Sequence, residues 1–94
     1  MRIAVVARAE VTIVNKLGLH ARASARLTQL AGRYACEVWL TRNGRRVNAK
    51  SIMGVMMLAA GKDATLIIDA EGEDAAAAVA ALQKLIADKF DEGE

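Results

Sequence analysis

Ninety-four residues, 54% hydrophobic and 26% charged, suit one folded domain with one core and exclude both a two-domain chain and a disordered one. A single cysteine excludes an internal disulfide framework, and one cysteine with one histidine cannot furnish a zinc site. The formal charge of +2 is unevenly spread: residues 1–50 hold ten Lys and Arg against Glu10 and Glu37, a balance of +8, and residues 51–94 balance at −6.

The opening "MRIAVVARAE" has too short an apolar run before Arg8 for a signal-peptide core, and reads as the lead-in to a strand. From Ala9, "AEVTIV" alternates, with Ala9, Val11 and Ile13 on one side and Glu10 and Thr12 on the other, which predicts a half-buried strand. "NKLG" follows as a turn in which Gly18 is free to take a positive φ. Between Ala21 and Tyr34 the apolar residues Ala23, Leu27, Leu30 and Tyr34 recur at helical spacing. Arg22, Arg26, Gln29 and Arg33 lie opposite, and Gly32 marks the C-terminal stop.

"CEVWLTRNGRRVNAK" contains two alternating runs joined by Asn43-Gly44, a pair suited to a two-residue hairpin loop with positive φ at both positions. That loop pairs Leu40 with Val47, Val38 with Ala49 and Glu37 with Lys50. It turns Val38, Leu40, Val47 and Ala49 inward, and Trp39, Thr41, Arg46 and Asn48 outward. "SIMGVMMLAAG" predicts a short helix capped by Ser51 and closing near Gly61. "ATLIIDA" predicts a strand with Leu66 and Ile68 on one side. From Glu73 a long helix is expected with Val79, Leu82, Ile86 and Phe90 inward, acids in its first turn, and Lys84 and Lys89 late. The order β-α-β-β-α-β-α predicts an α+β fold: a four-stranded sheet with three helices on one face and the other face in water.

His20, the only histidine, stands where the first helix begins. A helix N-terminus offers unpaired N–H groups and partial positive charge, so it attracts anions. With His20 as N-cap, the amides of Ala21, Arg22 and Ala23 converge on whatever its ring carries. The Arg22 guanidinium adds a planar fork suited to phosphate oxygens. The same surroundings favour a neutral, nucleophilic ring near pH 7. Such a site suits accepting, holding and releasing a phosphoryl group.

"GLHAR" within "NKLGLHARASA", with "KSIMGVM" at residues 50–56, resembles the HPr family, the histidine-containing phosphocarrier proteins of the bacterial phosphoenolpyruvate phosphotransferase system. The resemblance runs from about Glu10 to Phe90, with His20 and Ser51 in ungapped register. It implies an open-faced β-sandwich of four antiparallel strands and three helices, spanning residues 1–94 as a single domain. It also implies that His20 is the phosphoryl acceptor, through Nδ1, and that Arg22 stabilises the phosphate. Enzyme I would be the donor and enzyme IIA-type components the acceptors, with the protein a carrier rather than an enzyme. One departure is visible: the family's usual proline after the arginine is Ala23 here, which keeps the helix and gives up some rigidity.

Ser51 reads as an N-cap contributing about 1 kcal/mol. The resemblance adds a second role, as the site of a regulatory phosphate placed by an HPr kinase/phosphorylase. Of Ile52, Met53, Met56 and Met57, two are expected in the core and the rest in an exposed patch; the resemblance assigns Ile52 and Met53 to partner binding. No cofactor, metal, nucleic acid or membrane insertion is expected, and the setting is expected to be cytoplasmic and the chain monomeric. A nitrogen-type or purely regulatory phosphocarrier is the nearer alternative, since "NKLG" leans that way and "KSIMGVM" leans to the kinase-regulated type. A small nucleic-acid-binding module is the remote one, because base-stacking sheets need several aromatics and this chain has only Trp39, Tyr34 and Phe90.

Overall fold

A computed structural model describes residues 5–92. Strands β1 (Val6–Thr12), β2 (Glu37–Arg42), β3 (Arg45–Asn48) and β4 (Thr65–Glu71) form one antiparallel sheet in the order β1-β4-β2-β3. Helices α1 (Ala21–Ala31), α2 (Ile52–Met57) and α3 (Ala75–Ala87) complete an open-faced α+β sandwich. The register explains why one face is dry. Ala9, Ile68, Leu40 and Val47 line up across all four strands, flanked by Val11 with Leu66 and by Ala7 with Ala70 and Val38. Side chains alternate along a strand, so these residues share one face and meet the helices. On them pack Leu27 of α1, Val55 of α2, and Ala75, Ala78, Leu82 and Ile86 of α3, all fully buried or nearly so. The opposite face carries Trp39, with the Arg46 guanidinium 4.4 Å from its ring centroid.

The hairpin forms as expected: Leu40 faces Val47, the Ala49 amide donates to the Val38 carbonyl, and Asn43 and Gly44 take φ of 50° and 82°. The expected Glu37–Lys50 pair does not form. Lys50 instead donates its amide to the Asn48 side chain and its ammonium to the Tyr34 carbonyl, which ends the ladder.

Element ends differ from expectation in three places, in β1, α2 and α3. β1 begins at Val6, three residues early, because β4 extends to Glu71 and offers partners along that whole length. α1 stops at Ala31 as expected, with Gly32 in the capping position and Tyr34 held by a further turn to the Ala31 carbonyl. α2 closes at Met57 rather than near Gly61, and Ala59, not Gly61, takes the left-handed conformation (φ 50°). Arg42 and Arg45 reach from the hairpin to the carbonyls of Met57, Leu58 and Ala59, supplying the C-terminal cap that lets α2 end there. α3 begins at Ala75, after the two acids Glu73 and Asp74, and ends at Ala87. Lys89 and Phe90 therefore lie beyond it, in a short turn (Lys89–Asp91) whose three residues all have positive φ, 55°, 56° and 62°. Phe90 is still fully buried, so this turn is anchored to the core.

Candidate functional site

The loop before α1 is fixed from both sides. Gly18 has φ 64° and packs so closely on the backbone of Ala60 and Gly61 that no side chain fits there. The Leu19 amide donates to the Ala60 carbonyl at 2.8 Å, and the buried Ser24 hydroxyl donates back to the Leu19 carbonyl at 3.1 Å. Asn15, also buried, donates its side-chain amide to the Gly18 carbonyl at 2.9 Å. With its neighbours tied in this way, His20 has little backbone freedom.

His20 occupies the N-cap of α1 with extended backbone (φ −68°, ψ 176°), and its carbonyl accepts from the Ser24 amide at 2.9 Å. Its ring does not cap the helix. Among the described residues, the amides of Ala21, Arg22 and Ala23 have no hydrogen-bond acceptor. These are the unpaired donors that an 11-residue helix leaves at its start, with the positive end of its dipole. The Ala23 amide is unbonded, so a proline there would forfeit no hydrogen bond, in line with the departure noted above.

The ring is turned towards the C-terminal segment. Nε2 lies 3.0 Å from Glu92 Oε1, and the other oxygen of that carboxylate lies 3.5 Å from Arg22 Nη1. The side chains of His20 and Glu92 are 27% and 17% exposed and that of Arg22 is 74% exposed, so the guanidinium is the member most open to solvent. Leu17, His20, Arg22, Arg26, Asp91 and Glu92 line an open cleft of about 570 Å³. His20, Arg22 and the backbone amides of Ala21 and Arg22, all named in the sequence reading, lie together at the head of α1. That reading missed Glu92, whose approach depends on a chain reversal that no residue type announces.

Ser51 caps α2, accepting from the Gly54 amide at 3.1 Å. The expectation that two of the four large apolar residues of α2 are core is corrected: Ile52, Met53, Met56 and Met57 are all exposed, Met53 at 70% and Met57 at 60%. Val55 and Leu58 supply the buried side instead, since only one face of so short a helix meets the sheet. The result is a broad apolar surface on α2, a helix that packs directly against α1. Patches of this kind mark places where proteins meet other molecules.

Together these features define a small open-faced α+β sandwich that presents its histidine at the mouth of the first helix. A family model described as "PTS HPr component phosphorylation site" matches residues 7–88. The chain is 60% identical over 85 residues to the phosphocarrier protein HPr of Cupriavidus necator, covering 90% of this chain and 96% of that one. It is 56% identical over 86 residues to the HPr of Pseudomonas aeruginosa, covering 90% and 96%. The crystal structure of HPr-C-His from Thermoanaerobacter tengcongensis superposes with a TM-score of 0.89 at 40% identity, covering 92% of this chain and 97% of that one. The chain belongs to the HPr family of phosphocarrier proteins.

Proposed function

We propose that this protein accepts a phosphoryl group on Nδ1 of His20 from phosphorylated Enzyme I and passes it to enzyme IIA-type components, as a cytoplasmic monomer and a protein substrate rather than an independent catalyst. The observation that carries this is the N-cap position of His20, with its ring unused as a cap and three unpaired amides in the turn behind it. In acceptance, the Nδ1 lone pair forms a bond to phosphorus while the donor's bond to phosphorus breaks and its electron pair leaves with the donor. The phosphoryl oxygens then meet the α1 amides and the Arg22 guanidinium. With Arg22 itself 74% exposed and 3.5 Å from the carboxylate, the Arg22–Glu92 pair is worth at most about 1 kcal/mol, so the guanidinium leaves it readily for a dianion. Donation to an acceptor is the same exchange in reverse.

The exposed face of α2, with Ile52 and Met53 foremost, is the docking surface in this reading: flexible thioethers adapt to a donor and then to several acceptors. Ser51 at its head is the regulatory site, a substrate for an HPr kinase/phosphorylase.

Incubation with Enzyme I and phosphoenolpyruvate tests the central step. Wild type is expected to gain one acid-labile phosphoryl group and His20→Ala none. Equal labelling of the two would end the proposal.

A further inference from the structure

We propose that Glu92 is a positioning residue for His20: its carboxylate holds the ring with the proton on Nε2, and so leaves the Nδ1 lone pair free to take the phosphoryl group. This inference rests on the reading of His20 as the acceptor. The contact itself is a matter of geometry, Nε2 to Oε1 at 3.0 Å across 72 residues of sequence. An ionised carboxylate can only accept, so the hydrogen between the two atoms belongs to the imidazole. In a neutral ring one nitrogen carries hydrogen and the other a lone pair, and a hydrogen bond at one decides the state of the other.

The chain is built to deliver this carboxylate. α3 ends at Ala87, and three successive left-handed residues, Lys89, Phe90 and Asp91, then reverse its path. None of them is glycine, and the left-handed region is uncommon for residues with a side chain. The fully buried Phe90 holds the turn in place, and the next residue but one is Glu92. The reversal thus brings an acid from the far end of the chain onto the one histidine.

The carboxylate has a second effect during transfer. Bond formation at Nδ1 leaves Nε2–H in place, so no proton has to move and the ring becomes positive. Glu92 faces that positive ring at hydrogen-bonding distance. Its other oxygen releases Arg22 to the phosphoryl oxygens, so the two charges that face each other in the resting site are redistributed: carboxylate to ring, guanidinium to phosphate.

Nitrogen-15 spectra of the imidazole and transfer kinetics, run on the same samples, test this. In the neutral ring of the wild type the Nε2–H form should stand alone. Glu92→Ala should show the Nδ1–H form alongside it, with kcat for transfer from phosphorylated Enzyme I about tenfold lower and KM unchanged, since groups that orient a histidine are worth roughly that much. Glu92→Gln retains an acceptor oxygen and should recover the tautomer but only part of the rate. A wild-type tautomer population in Glu92→Ala, an unchanged kcat, or a change confined to KM would overturn the proposal. Should wild type itself fail to be phosphorylated, the acceptor reading falls, and the spectra still decide whether Glu92 sets the ring.

Discussion

A methyl group on residue 18 would overlap the Ala60 carbonyl oxygen and come within 2.7 Å of the Gly61 Cα, on a backbone already at φ 64°. Neither atom can yield, because both belong to main chain and the neighbouring Leu19 amide is bonded to the same carbonyl. Gly18→Ala is therefore expected to cost about 2 kcal/mol or more, read from a shift in denaturant midpoint with the slope unchanged. Of the residues at the site, Gly18, His20 and Arg22 were legible in the sequence because each has a local reason to stand at a turn or helix start. Glu92 was not. Its place depends on three non-glycine residues adopting positive φ, and Lys89, Phe90 and Asp91 carry no local signal for that. Ser24 and Asn15 were hidden for a related reason: a polar residue that ties down a loop looks like any other until its partner carbonyl is known.

Helix α2 shows how one element combines stability and recognition. With six residues it has little helical stability of its own. It is held by the Ser51 cap at one end, by guanidinium bonds from Arg42 and Arg45 at the other, and by buried Val55 and Leu58 beneath. Ser51→Asp keeps an acceptor in the capping position and so should leave the melting curve close to wild type, while the added charge beside Met53 slows phosphorylation by Enzyme I; unaltered transfer kinetics would count against a docking role for this face. Ser51→Ala, by contrast, is expected to lower stability by about 1 kcal/mol in chemical denaturation. The cap and the hairpin could be read in advance because serine before a helix and Asn-Gly between alternating runs act through their own backbone. The length of α2 could not, since it is set by Arg42 and Arg45 arriving from another element. The early start of β1 is similar: it follows from how far its partner β4 runs.

Across the whole molecule, Asp74 joins the head of α3 to the segment leading into β2, accepting from the amides of Ala35 and Cys36 at 2.8 and 2.9 Å. The Ala35 amide above all, with the Cys36 contacts behind it, holds the Asp74 carboxyl below the ordinary carboxylate range. Burial first, and the Asp74 carboxylate next to it, push the Cys36 thiol up, so it stays protonated at neutral pH. A carboxyl depressed on folding stabilises the native state above its unfolded value and ceases to do so as pH falls through its folded one. Melting temperature should then hold steady from neutrality to about pH 5 and fall below about pH 4, with a shallower fall in Asp74→Asn; parallel curves would exclude Asp74 as a contributor. At the margins of the sheet, β1 presents Arg8 and Glu10, and β3 is only four residues long and carries Arg45 and Arg46, features that discourage strands of other molecules from adding on. The side of the sheet away from the helices holds the chain's sole indole, Trp39, beneath Arg46. Its emission is thus a built-in optical gauge of whether β2 and β3 remain joined, with no label needed.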